Sequence, residues 1–238
     1  MTVALGTTAG AKSLPVTVSD AQGRSGSAAI SLTVQGQQSS MARQFVPISR
    51  LEYAANSGFD APTTFTQAFW ANIAADGGER ELVFKNGNYI VRVANSNLIF
   101  VWFEGSLLRG FLIPVPVFGE WHHYAWTVVG NSPAKLYVDG VDQGLPVKFF
   151  GGAPAGLGNP LFLGGRSDGA PFDGALAQFG LWDEELTGTQ IAALQTQKPD
   201  AVNAAALTAY IPLDADTNEH IVGITPTQTG TINTITRP

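Results

Sequence analysis

Cysteine is absent from all 238 residues, so the chain has neither a disulfide framework nor a thiolate metal site available to it. Charge is scarce as well: Asp, Glu, Lys and Arg make up only 13% of the sequence and sum to a net −6. Lys and Arg are scattered, so no basic face exists to neutralise phosphates, and nucleic acid is excluded as a partner. Nowhere do 18 apolar residues run together, and the N-terminus lacks a charged start followed by an apolar run, so neither a membrane span nor an export signal is read. What the chain has instead is turn-forming residues, 27 Gly and 14 Pro, set among 45% hydrophobic residues. That mixture and length predict one large all-β domain with a full-sized core, plus tails.

The most informative stretch runs from Glu120 to Leu194. Trp121 to Val129 is aromatic and β-branched at both even and odd positions, which predicts a strand covered on both faces. Asp139-Gly140, between two β-patterned segments, is the dipeptide of a tight hairpin whose central residues both need φ > 0. Leu161-Phe162-Leu163 ends in Gly164-Gly165, and Gly174 to Trp182 reads as a half-buried strand, with Ala175, Ala177, Phe179 and Leu181 on one side and Gln178 and Gly180 on the other. Thr187 with Gln190 forms a capping box, Ile191 and Leu194 share a face, and Lys198-Pro199 stops the turn, predicting one short helix near 187–197.

The ordered set W-H-H-Y-A, L-Y-V-D-G, L-F-L-G-G and F-D-G-A-L-A-Q-F-G-L-W-D-E-E-L-T-x-x-Q-I resembles the laminin-G-like, concanavalin A-like jelly rolls, the superfamily of legume-type lectins and pentraxins. The likeness extends upstream through Phe65–Trp70, Glu81–Lys85 and the Tyr89–Trp102 hairpin, covering roughly residues 45–197. It implies a concanavalin A-like jelly-roll β-sandwich, two antiparallel sheets face to face, with one short helix. Animal modules of this kind often carry a disulfide, so its absence points to a bacterial or phage source.

The chain ends are read separately. Residues 1–36 form a β-hairpin arm resembling the last two strands of bacterial and phage immunoglobulin-like repeats, and read either as a docking arm, with Val16, Val18, Ile30, Leu32 and Val34 as its docking positions, or as a remnant tail of such a repeat. Residues 37–44 are the linker and 45–238 the jelly roll. Within the latter, 204–238 resembles a segment that ordinarily opens such a module, and is expected to close the sandwich from its C-terminus.

Chemistry is thinly signalled. The paired carboxylates of related glucanases, spaced E-x-D-x-E on one strand, are missing, and Asp183-Glu184-Glu185 sits where a helix N-terminus favours negative charge. His122 and His123 are strand neighbours facing opposite sides, so they cannot share an ion, and His220 is remote in sequence. No enzyme and no resident cofactor are expected. The resemblance implies two binding features. A rim calcium site would use Asn159, with Glu120 where the family has Asp, and Asp168 and Asp173 in reserve. A glycan site would use Tyr89, Trp102 and Phe103 with Arg92 and Arg109. The expectation is a non-enzymatic module of a virion or cell surface. It attaches by its arm to a capsid, tail or other assembly protein or to neighbouring copies of itself as a homo-oligomer; the alternative is a glycan-binding adhesion module.

Overall fold

The computed structural model describes residues 10–19, 21–34, 39–74, 78–104, 107–130, 134–149, 158–166 and 169–237. β1 (Gly10–Ser19) and β2 (Ser25–Val34) pair antiparallel as a sheet of their own, Leu14 opposite Ile30 and Val16 opposite Ala28. The remaining strands follow as β3 (Met41–Phe45), β4 (Arg50–Tyr53), β5 (Thr64–Ile73), β6 (Arg80–Lys85), β7 (Tyr89–Ala94), β8 (Asn97–Glu104), β9 (Leu107–Pro114), β10 (Trp121–Val129), β11 (Lys135–Val138), β12 (Val141–Asp142), β13 (Lys148–Phe149), β14 (Leu161–Leu163), β15 (Gly174–Trp182), β16 (Leu207–Ile211), β17 (Thr227–Thr229) and β18 (Ile232–Thr236). They form two eight-stranded antiparallel sheets. The front sheet runs β12-β11-β10-β5-β15-β3-β18 with β16 also on β15, and the back sheet runs β13-β9-β8-β7-β6-β14-β4-β17.

The sandwich closes because alternate positions of both sheets are apolar and meet. Phe65, Phe69, Tyr124, Trp126 and Val128 from the front sheet pack on Tyr89, Val91, Phe100, Trp102 and Phe111 from the back. The rings interlock: Phe100 and Trp126 lie 5.0 Å apart edge to face, and Trp102 and Trp126 6.2 Å. One amide is enclosed with them. Gln67 stands opposite Trp126, fully buried, with neither side-chain atom hydrogen-bonded.

Two glycines set the close approaches. In L-F-L-G-G, a Cβ on Gly164 would lie 2.0 Å from the Phe45 ring, and one on Gly174 would lie 2.2 Å from the Asn72 carbonyl. Only glycine fits either place.

Three expectations are amended. Met41–Gln44, read as the end of the linker, belong with Phe45 to strand β3, held between β15 and β18; Arg43 and Gln44 mask its alternation in sequence. Strand β15 is buried along its whole length rather than half-buried. Its alternation is also interrupted, because Gln178 adopts φ 55° and makes a bulge between Ala177 and Gly180. Ala175 and Ala177 therefore face outward while Phe179 and Leu181 face the core.

The helix α1 (Gly188–Ala193) carries the capping box, with Gln190 N–H donating to Thr187 Oγ1 and Thr187 N–H to Gln190 Oε1. It lies across one half of the front sheet's outer face, where Leu186, Ile191, Leu194 and Val202 cover Ala68, Ala125 and Trp182. Thr66 fastens that cover: its hydroxyl donates to Glu184 O at 2.8 Å and accepts from Leu186 N–H at 2.9 Å. Residues 207–236 add β16 beside β15, β17 to the back sheet and β18 to the front, so both sheets take an edge strand from the end of the chain. Between them, buried Glu219 accepts from the N–H groups of Tyr210, Ile221, Val222 and Gly223 at 2.7–3.2 Å, fixing the loop onto β16. Among the described residues no helix is long and apolar enough to cross a membrane.

Candidate functional site

Among the described residues no helix covers the other half of the front sheet's outer face. Its register lines up Asn233, Gln44, Ala175, Asn72 and Trp121, each opposite the next, across β18, β3, β15, β5 and β10. At roughly 4.8 Å per strand the row spans about 19 Å. Three amides and one indole flank the buried Ala175, making a shallow polar track with an aromatic end. Asn233 is exposed, and Gln44, Asn72 and Trp121 are partly exposed. Asn72 is already oriented, its Nδ2 donating to Gly119 O at 2.7 Å.

A second row forms the wall of the track. Ala177, Trp70 and His123 stand opposite one another, and the Arg237 guanidinium lies 4.3 Å from the centroid of the Trp70 ring. The His123 ring packs 5.2 Å from Trp70. Burial holds His123 neutral, lowering its pKa to about 3; Arg237 adds to the depression and Asp139 opposes it. Burial also lowers Arg237, to about 10. Trp70 Nε1 is shielded from solvent and makes no hydrogen bond.

The D-G turn supports this wall from below. Asp139 and Gly140 take φ 49° and 76°, as the hairpin requires. The Asp139 carboxylate accepts from His123 N–H at 2.8 Å and meets His122 Nδ1 at 2.8 Å. The adjacent histidines thus point to opposite sides of β10, and His220 pairs elsewhere, with Asp216 at 2.8 Å.

The residues anticipated for glycan contact do not gather on this face. Tyr89 and Trp102 are cross-strand partners, but on the interior side: Tyr89 is fully buried and donates to Phe59 O at 3.0 Å, and Trp102 is 3% exposed. A sugar ring has no access to either. Arg109 stands opposite Trp102 at the half-buried margin, whereas Arg92 projects from the other side of the back sheet and pairs with Glu79. Phe103 is partly exposed on that same outer side.

The anticipated calcium ligands are likewise separated. Asn159 lies at the Lys85 end of the sandwich; its carbonyl accepts from Lys85 Nζ at 2.7 Å, and that ammonium also lies 2.9 Å from Asp60 Oδ1. Glu120 follows Gly119, which bonds Ile73 at the opposite end, where Asp173 meets Arg80 at 3.5 Å. Arg80 and Lys85 are the two ends of β6, roughly 16 Å apart. Asp168 falls outside the described residues. Asn159, Glu120 and Asp173 therefore do not converge on one point, and the Lys85 ammonium sits on the Asn159 backbone carbonyl. Among the described residues no group of three His, Asp or Glu side chains converges as metal ligands.

Asp183, Glu184 and Glu185 are exposed beside the helix, Glu184 accepting from Asn203 at 3.1 Å and Glu185 meeting Lys135 at 3.3 Å. They lie away from the open face. Sequence reading missed Trp121, Asn72, Gln44 and Asn233 as a set. The available signal was Trp121 and His123 sharing a parity with Asn72 across the strand pair, but that requires the register.

The chain matches, over residues 50–192, the model of the Laminin_G_3 family of the concanavalin A-like lectin/glucanases superfamily. No curated protein sequence matches it. Among solved structures it is similar to a protein from Bacteroides ovatus ATCC 8483 named as a candidate carbohydrate binder, with TM-score 0.63, 17% identity, and coverage of 95% of this chain and 69% of that one. It is also similar to the receptor binding domain of botulinum neurotoxin mosaic serotype C/D, with TM-score 0.52, 10% identity and coverage of 77% and 45%. The chain spans less than half of that toxin fragment. At these identities the likeness is one of fold.

Proposed function

The chain belongs to the concanavalin A-like lectin and glucanase superfamily, and from that premise we propose that it is a non-enzymatic carbohydrate-binding module working at a surface outside the cell. The observation that carries this reading is the open row of Asn233, Gln44, Asn72 and Trp121, in which amides meet hydroxyls and an indole stacks on a sugar face. The fold likeness to a protein named for carbohydrate binding supports it. Turnover is disfavoured by composition: β3, β5, β10, β15 and β18, the strands that build the open face, contain no Asp or Glu, and glycoside hydrolysis needs two carboxyl groups flanking the bond. On a glycan array the wild-type protein should give at least one specific signal. Trp121→Ala should weaken it by at least about tenfold, a loss of ~1.4 kcal/mol, with little change in melting. Silence of the wild type across the array, or an unaffected Trp121→Ala variant, would sink the reading.

A second reading concerns the arm, favoured by the fact that, among the described residues, β1 and β2 pair only with each other as a separate sheet. A lone hairpin is marginal in water. The arm attaches the module to a capsid, tail or other surface-assembly protein, or to neighbouring copies, leaving the open face toward the glycan. Ser39 and Ser40 must be kept in any truncation, because their carbonyls hold Arg237. Removing residues 1–36 should shift the melting temperature by no more than about 2 °C and preserve glycan binding, while sedimentation shows that assembly is lost. Unchanged assembly after truncation would eliminate the attachment role.

A further inference from the structure

At the edge of the back sheet, a hollow of about 120 Å³ has Ile48, Ser49, Arg50, Gly165, Arg166, Gly169 and Pro171 among its lining residues. We propose that it takes the carboxylate or sulfate of an anionic sugar unit, a proposal that rests on the carbohydrate-binding reading and narrows it. Arg50 carries the inference. It is half-buried, its Nε is shielded from solvent, and among the described residues its side chain makes no hydrogen bond and no ion pair. A guanidinium in that position has lost part of its hydration without gaining an acceptor, and a planar two-oxygen anion supplies what it lacks.

Arg166, on the other wall, is already fixed in place. Its Nη1 meets Glu81 at 3.0 Å, where Glu81 is 1% exposed, and its guanidinium lies 5.6 Å from the centroid of the Phe84 ring. Glu81 thus meets Arg166, while no described carboxylate meets Arg50. The backbone is drawn back on the open side: Gly169 has φ 135°, and a Cβ added there would meet nothing within 4 Å. Ile48, 76% exposed, and Pro171 offer C–H surface to a ring held by its anion. The volume suits one charged group and part of one ring, well below the several hundred Å³ of pockets that enclose whole ligands.

The test is a titration with D-glucuronate, D-glucose and inorganic sulfate, read by saturation-transfer NMR and calorimetry. Glucuronate should bind, with transfer to its ring protons, and glucose should not displace it. Arg50→Gln should weaken glucuronate about tenfold or more while leaving neutral-glycan binding through Trp121 intact. Raising NaCl from about 50 mM to about 500 mM should weaken it as well. Should Arg50→Gln prove unstable, Ile48→Asp serves in its place, since Ile48 has φ 73°, a conformation Asp accepts more readily, and its carboxylate at the mouth repels an anion. Equal glucuronate affinity in the wild type and a folded variant overturns the proposal, as does no response to glucuronate while a neutral glycan still binds. Sulfate binding with no transfer to glucuronate ring protons reduces the hollow to a plain anion site and overturns the sugar assignment. Loss of neutral-glycan binding in Trp121→Ala with glucuronate unaffected separates the two sites.

Discussion

On acidification from about pH 7 to about pH 4 the protein should lose stability on the order of 3 kcal/mol through His123 alone, and His123→Phe should remove that loss. His123 is 2% exposed, wedged against Trp70, and burial lowers its pKa from 6.5 to about 3. Between those two values the unfolded chain binds a proton that the folded chain refuses. Stability therefore rises with pH through that window and is flat above it. For a chain of this length the loss corresponds to roughly 6–12 °C in melting temperature. Carboxylates such as Asp216, held low chiefly by the Asn218 N–H, act with the same sign but nearer their own range, so the informative quantity is the difference between wild type and variant at each pH. A variant that tracks the wild type from about pH 7 to about pH 4 would show that His123 takes up its proton freely in the fold.

The second large effect should come from Glu219. Glu219→Ala removes one carboxylate that accepts four backbone N–H bonds and leaves the Tyr210 donor buried beneath the loop. Charge-assisted bonds of this kind are stronger than neutral ones, and an orphaned buried donor costs about 1–3 kcal/mol. Water can reach part of the exposed Ile221–Gly223 turn, so the net loss should be about 3 kcal/mol rather than the sum. Glu219→Gln keeps one acceptor and should lose about half as much. Calorimetric melting checks both, and a loss under about 1 kcal/mol for Glu219→Ala would mean the loop is held by its other contacts.

The fold was legible because its signals are local and ordered. Trp121 to Val129 is apolar on both parities, and its two covers are now identified as the opposite sheet and the helix segment. Asp139-Gly140 and the Thr187–Gln190 box behave as local chemistry dictates. The site was not legible, for a specific reason. In a sandwich one of whose outer faces is half covered, aromatic composition does not tell interior from exterior. Tyr89 and Trp102, read as glycan contacts, are cross-strand partners that lie inside, while Trp121 and Asn72 stand on the outer face. The bulge at Gln178 reverses the facing of β15 midway, which alternation alone cannot announce. Asn159 matched a ligand position by motif, but the residues meant to share its ion lie at the other end of the sandwich, and its backbone carbonyl bonds Lys85, 74 positions away in sequence.

The way residues 227–236 finish both sheets bears on how the protein comes off the ribosome. β3 and β4 are among the first strands of the sandwich to be synthesised, yet their outer neighbours are β18 and β17, and Arg43 meets Thr234 across 191 residues. At about 5–20 residues per second those two edges stay unpaired for roughly 10–40 s after they emerge. During that interval they are open to the strands of other nascent chains, a hazard for any long unpaired edge. Yield in a cell should therefore depend on what shelters β3 and β4 while the last strands are still being made.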